Sequence, residues 1–248
     1  MSYEAEYNQW KKKPLDYWET KSNEIIWNKK WKCVLQQDDE NSWTWFPDGE
    51  MNTCYNCLDF HINNGNGNKI ALIYDSPVTN QKKKFSYNDL LQKTAKIAGA
   101  LKNKGVSKGD RVIIYMPMIP EAVASMLACA RIGAIHVVVF GGFAPNELAT
   151  RINDSKPKII IAGSCGIEPG KIIEYKPMLD KAIELADHEI DCCFIHQRDI
   201  KKADLIEGRD YDLEILMQKS EPASPVSVKS QDPLYILYTS GTTGDPKG

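Results

Sequence analysis

GDRVIIYMPMIPEAVASMLACARIGAIHVVVFGGF, residues 109–143, is the stretch on which the fold turns. Arg111 to Tyr115 is short and nearly all apolar, the pattern of a strand whose two faces are both covered in a parallel sheet. Pro120 suits the first position of a helix, Val123, Met126, Leu127 and Ala130 recur as its buried stripe, and Gly133 ends it. Ile135 to Val139 reads as a second strand, so the stretch predicts a right-handed strand–helix–strand unit. The same alternation extends in both directions. Upstream, Ser86 three residues before Asp89 caps a helix carrying Leu90, Thr94, Ile97 and Leu101, which stops at Gly105. Downstream come a helix from Pro145 to Asp154, a strand from Lys158 to Ala162, a helix from Met178 to Ala186, and strands from Cys192 to Ile195 and Leu234 to Tyr238. The fold class expected is α/β, a doubly wound, mostly parallel sheet with flanking helices, and ligands on such sheets lie beyond the carboxyl ends of the strands. The stretch from Lys219 to Gln231, rich in Ser and Pro, reads as the linker.

The first 60 residues read differently. All six tryptophans, Trp10, Trp18, Trp27, Trp31, Trp43 and Trp45, lie there. The expected organisation is an aromatic-rich helical arm over residues 1–60, with short helical pieces at Pro14 to Trp18 and around Ile25 to Trp27, whose rings clamp onto the α/β part at 61–248. With 31 Lys and Arg against 33 Asp and Glu, the net charge of −2 gives no electrostatic footprint for nucleic acid or an anionic membrane. No apolar run reaches the roughly 20 residues of a membrane span, and the opening MSYEAEYNQW lacks a signal peptide's basic end and apolar core. Seven scattered cysteines then read as free thiols in a reducing compartment.

Directly after the last strand the sequence reads Thr239-Ser-Gly-Thr-Thr-Gly-Asp-Pro-Lys-Gly248. Gly241 and Gly244 allow successive N–H groups to turn inward, Thr239, Ser240, Thr242 and Thr243 supply hydroxyls, and Lys247 adds a mobile cation, a composition suited to a polyphosphate. A Walker loop is excluded by spacing, since the sixth position from Gly241 is Pro246 and Gly248 follows the lysine. The bland alternative is a flexible Gly/Thr connection.

With these residues in view, the chain resembles the adenylate-forming acyl-CoA synthetases, and within them the acetyl- and propionyl-CoA synthetases. TSGTTGDPKG is similar to their signature phosphate loop. The likeness continues through WFPDGEMNTCYNCLDFH (45–61), the 109–143 stretch and GSCGIEPGKIIEYKP (163–177). The resemblance implies an AMP-forming acid–thiol ligase that makes an acyl-adenylate from a short carboxylate and ATP, with Mg2+, releases pyrophosphate, and passes the acyl group to coenzyme A. It implies that Thr239, Ser240, Gly241, Thr242, Thr243, Gly244 and Lys247 hold the ATP phosphates. Phe140, Gly141 and Gly142 fall where the coenzyme A adenine lies in that family. The alternative for Phe140, a plain core residue at a strand end, stays open. Gly170 and Lys171 fall where an arginine contacts the coenzyme A phosphates; a second arginine of the family is replaced by Glu168, and a usual basic residue by Phe60.

Other features read as structural. The Cys54-x-x-Cys57 pair has only His61 nearby and no second pair, so thiols at a helix start are expected rather than a metal site. His136, inside an apolar strand, reads as a satisfied core histidine. The Lys11–Lys13 and Lys82–Lys84 runs read as solvated surface. Members of the family are more than twice this length, so the resemblance implies an amino-terminal piece that carries no catalytic residue. Its partners would be its small substrates and the rest of its own chain, and an apolar face would be left bare. Its location would be the cytoplasm, or a mitochondrial matrix. The alternative is a non-catalytic nucleotide- or coenzyme A-binding α/β module.

Overall fold

The computed structural model describes residues 2–37, 39, 41–239 and 248. The chain starts with helices α1 (Tyr3–Lys12) and α2 (Pro14–Ser22), the latter opened by a proline at its first position. An antiparallel pair, β1 (Leu35–Gln37) and β2 (Trp43–Trp45), the strand β3 (Glu50–Met51) and two wide helical turns, Tyr55–Asp59 and Ile62–Asn66, follow. The second expected helical piece, at Ile25 to Trp27, does not form. Asn56 takes both backbone groups of Ile26, accepting its N–H at 2.8 Å and donating to its carbonyl at 3.0 Å, so neither is free for a helical bond. Nor do the tryptophans clamp the α/β part together. Only Trp31 is buried; Trp27 and Trp31 each lean on Phe46, and Trp18 meets Trp45 edge-on, so the rings pack mainly on one another.

The hairpin β4 (Ile70–Ser76) and β5 (Gln81–Ser86) leads into α3 (Tyr87–Asn103). Ser86 caps α3 as the sequence implies: its Oγ accepts the Asp89 N–H at 3.2 Å while the Asp89 carboxylate accepts the Ser86 N–H at 2.9 Å. Next come β6 (Arg111–Met116), α4 (Pro120–Ile132), β7 (Ile135–Phe140), α5 (Pro145–Ser155) and β8 (Ile159–Gly163). A hairpin absent from the sequence reading, β9 (Cys165–Glu168) and β10 (Lys171–Glu174), intervenes before α6 (Tyr175–Leu185) and β11 (Cys192–His196). The chain continues through β12 (Asp210–Asp212), α7 (Leu213–Lys219), β13 (Val228–Lys229) and β14 (Tyr235–Ile236). Six strands form one parallel sheet in the order β12-β11-β8-β6-β7-β14. The order reverses between β6 and β8, which makes the sheet doubly wound.

Alternation along β6 divides the core. Val112, Ile114 and Met116 pack with α3, α4 and α7, whereas Ile113 and Tyr115 pack with α5 and α6. Of the stripe expected on α4, Ala130 is buried and Met126 and Leu127 are half-buried against the core; the fully buried residues are the small Ala124, Ser125, Ala128 and Cys129, because helix and sheet approach closely there. Val123 and Met126 face an apolar groove of about 520 Å³ beside Met116, Val138, Tyr235 and Leu237. Among the described residues no element covers one face of the β7–β14 edge, and the groove lies there. Ile135, Val137 and Val139 are buried, but Val138 is 38% and Phe140 62% exposed, so among the described residues an apolar face is bare, as anticipated.

The segment expected as a linker is a strap. The Ala223 N–H donates to the Ala95 carbonyl of α3, the Val226 N–H to the Arg131 carbonyl of α4, and β13 pairs antiparallel with β3. Asn52 completes the knot by offering its amide group to the carbonyls of Ala130, Arg131 and Val226 at 2.7–3.1 Å. Gly99 of α3 makes this possible: a Cβ there would stand 1.9 Å from the Glu221 carbonyl oxygen.

Candidate coenzyme and phosphate site at the carboxyl ends of the strands

The strand β7 ends in Phe140, and residues 140–143 form a tight turn closed by the Phe143 N–H on the Phe140 carbonyl at 3.2 Å. Gly142 at its third position has φ +109°, a conformation that favours glycine, as type II-like turns require. Gly141 has a different reason to be glycine. A Cβ would lie 2.6 Å from the Tyr175 ring and 2.7 Å from the Met116 backbone, so the missing side chain makes room for the protein's own packing. Phe140 is mostly exposed, its ring 5.8 Å from that of Phe143, which removes the alternative of a core residue.

Tyr115 holds this turn from beneath. Its hydroxyl donates to the Phe143 carbonyl at 2.9 Å and accepts the Gly142 N–H at 3.4 Å. Burial pushes the phenol up to about 12, so it remains a donor at any physiological pH. Its ring lies 5.2 Å from that of Tyr175, the first residue of α6.

The β9–β10 hairpin carries the remaining residues assigned to coenzyme A. Pro169 and Gly170 form its two-residue tip, Gly170 with φ +79° and its Cα facing open space. Lys171 pairs with Glu168 across that tip at 3.2 Å. The acidic replacement noted in the sequence thus meets the very lysine expected to contact phosphate. With both side chains more than half exposed, such a pair contributes at most about 1 kcal/mol, and an incoming phosphate can displace it.

The loop expected to hold phosphates follows the carboxyl end of β14. Thr239 is exposed there; Ser240, Gly241, Thr242, Thr243, Gly244 and Lys247 lie outside the described residues. Just before it, Tyr238 hydrogen-bonds Asp154, and the Arg151 guanidinium sits over both the Tyr238 ring (5.2 Å) and the Phe143 ring (4.9 Å). Arg151 is itself fixed by the Glu147 carbonyl and carboxylate. One arginine of α5 therefore spans the turn after β7 and the strand leading to the loop.

Several charged groups were invisible to sequence reasoning because their partners are remote. Arg131, buried at the end of α4, binds Asp59 through two bonds of 2.7 and 3.0 Å and donates Nε–H to the Ala223 carbonyl. Lys176 meets Asp180 and the fully buried Asp210, which Arg209 also contacts. Glu121 joins Lys93 at 2.6 Å and approaches His196 at 3.7 Å. Cys54 belongs to the first cluster, its sulfur 3.6 Å from the Arg131 guanidinium, and all seven cysteines are free thiols. His136 corrects an expectation: it is not satisfied. Its Nδ1 is buried without a hydrogen-bond partner among the described residues, its ring lies against Tyr235, and burial pushes its pKa down to about 4. Among the described residues no group of three or more His, Cys, Asp or Glu is placed to hold a metal ion, and no helix is long and apolar enough to cross a membrane.

Comparison with known proteins adds a consistent set of likenesses. Residues 60–248 match the family model described as AMP-binding enzyme, and residues 3–57 match that of the acetyl-coenzyme A synthetase N-terminus. A mouse protein named acyl-CoA synthetase short-chain family member 3, mitochondrial, is 50% identical over 236 residues, covering 95% of this chain and 35% of its own. The acetyl-coenzyme A synthetase of Shewanella frigidimarina is 42% identical over 240 residues, covering 95% of this chain and 37% of its own. In fold, the acetoacetyl-CoA synthetase from Streptomyces lividans superposes with a TM-score of 0.85 over 96% of this chain and 36% of that one, at 22% identity. The chain thus spans little more than a third of the length of these relatives.

Proposed function

This chain belongs to the AMP-binding enzyme family, and from that premise we propose that it serves as the amino-terminal portion of a short-chain acyl-CoA synthetase. The reaction would join acetate or propionate to coenzyme A in two steps, ATP being split to AMP and pyrophosphate through an acyl-adenylate. The observation that supports this best is convergence. The 140–143 turn, the 165–174 hairpin and Thr239 all stand at the carboxyl end of one doubly wound sheet, the side on which such sheets take ligands.

In this reading Thr239, Ser240, Gly241, Thr242, Thr243, Gly244 and Lys247 hold the ATP phosphates, and Lys247 meets the charge that develops as pyrophosphate leaves. Phe140, Gly141 and Gly142 receive the flat end of coenzyme A, while Gly170 and Lys171 stand by its phosphates. Mg2+ would accompany ATP. The arm (1–60) and the α/β part (61–248) would act as one unit with the remainder of the complete polypeptide, which would supply the acyl and adenosine walls. The compartment would follow the parent protein, mitochondrial matrix or cytoplasm.

The deciding experiment measures carboxylate-dependent pyrophosphate exchange and acyl-CoA synthesis by the complete polypeptide on acetate, propionate and butyrate. Propionate is expected to be used best, by less than about 200-fold over acetate, since one methylene in an apolar pocket discriminates no further. Absence of exchange with every acid would leave a binding module in place of a ligase. The 248-residue chain alone is expected to give no acyl-CoA.

A further inference from the structure

We infer that Tyr115 and Tyr175 are positioning residues that lock the 140–143 turn and the 165–174 hairpin into one rigid cradle for coenzyme A. The inference rests on the proposed reading of those two segments, and it concerns what holds them in place. Tyr115 lies in the middle of the sheet with no exposed surface, where a phenylalanine would fill the same space. What the hydroxyl adds is a donor and an acceptor. Both are used on the turn: the donor on the Phe143 carbonyl, the acceptor on the Gly142 N–H. The same side chain therefore bridges two consecutive residues of the segment that presents Phe140, an exposed ring that leans on Phe143.

Tyr175 acts from the other side. Its ring sits where two glycines, Gly141 and Gly166, remove their side chains, and it lies in ordinary contact distance of a third, Gly163. A Cβ on Gly141 would stand 2.6 Å from the ring, one on Gly163 4.0 Å away, and one on Gly166 closer than either, against the phenol oxygen. Gly141 belongs to the turn, Gly163 to the end of β8 and Gly166 to the hairpin, so a single aromatic plate joins the ends of two strands and the hairpin that follows. The Tyr175 N–H donates to the Ser164 carbonyl, and Ser164 in turn accepts the Arg198 N–H and donates to the Lys201 carbonyl, which anchors the plate in the loop after β11. Neither tyrosine is exposed to a ligand; each acts through backbone that is.

The test uses the complete polypeptide and the ratio of KM for coenzyme A to KM for ATP, a quantity independent of how much enzyme is folded. Tyr115→Phe is expected to raise that ratio roughly five- to thirtyfold, from the worth of one of the hydroxyl's two bonds to that of both. Tyr175→Leu and Gly166→Ala are expected to raise it at least as much, the first by removing the plate and the second by displacing it, and Tyr175→Phe, which keeps the ring, to rescue the loss. Phe140→Ala tests the underlying reading. If it raises the ratio while Tyr115→Phe and Gly166→Ala leave it at the parent value, the positioning role is refuted. If Phe140→Ala itself leaves the ratio unchanged, coenzyme A does not lie on the turn and the reading beneath the inference falls.

Discussion

Gly99→Ala sets two known magnitudes against each other. Gly99 lies inside α3, where helix propensity alone predicts that alanine stabilises by about 1 kcal/mol. The strap crosses at that point, and the new Cβ would stand 1.9 Å from the Glu221 carbonyl oxygen, a backbone atom that must retreat by roughly 1 Å to reach even the tightest contact. Retreat stretches the Ala223 N–H bond to the Ala95 carbonyl, now 2.9 Å, and the Lys96 ammonium bond to the Ser220 carbonyl. Two such bonds at about 1 kcal/mol each, with about 1–3 kcal/mol for the overpacked contact, outweigh the propensity gain and leave a loss of about 2–4 kcal/mol. For a protein of this size that lowers Tm by about 4–16 °C. Thermal melts followed by far-ultraviolet circular dichroism measure it directly. A Tm that rises, as propensity alone requires, would show that the strap does not bear on α3.

Three further outcomes are expected. Asp59→Ala strands the buried Arg131 cation and should destabilise by about 3–5 kcal/mol, whereas Asp59→Leu combined with Arg131→Met should recover most of that loss in urea unfolding; equal losses in both would refute the pairing. His136 is held neutral by burial, its pKa down at about 4, while the unfolded chain protonates near 6.5. The unfolded state therefore binds more protons in that window, so stability falls as pH drops from about 6.5 toward 4. His136→Phe should flatten this slope in melts compared at the two ends of the window, and an unchanged slope would exonerate the histidine. In the complete polypeptide, Lys247→Ala should reduce pyrophosphate exchange far more than coenzyme A affinity; intact exchange would remove the phosphate-loop assignment.

Most of the α/β core was legible in the sequence because its signals are local. Pro120 at the start of α4 and Gly133 at its end, with φ +72° and the Ala134 N–H returning to the Cys129 carbonyl, carry their own geometry. So does the Ser86 cap. The strap was misread because Pro and Ser describe a segment without regular structure equally well whether it is free or pinned; only the remote carbonyls of Ala95 and Arg131 decide, and no window of sequence contains them. The 165–174 hairpin was overlooked although Pro169-Gly170 marked its turn, since Ile167 and Ile172–Ile173 are too short a run to outweigh the helix that follows. At the site, the Gly141-Gly142 pair was visible, but the separate reasons for its two members were not: one glycine serves a positive φ, the other the approach of Tyr175. The tyrosines that support the turn left no trace, because an apolar strand accommodates Tyr115 as readily as a phenylalanine.

The strap also imposes an order in time. β3 near residue 50, bridged to the early Lys29, meets its strand partner at Val228 and Lys229, Asn52 reaches Val226, and the Gln231 side chain returns to the Trp45 carbonyl. A ribosome adding about 5–20 residues per second leaves the arm waiting about 10–35 s for these partners to emerge. During that interval the arm has been made but lacks the strap's contacts at residues 45–52. An arm whose own rings pack edge-on and tilted against one another is suited to that wait, since it keeps part of its aromatic surface out of water before the rest of the molecule arrives.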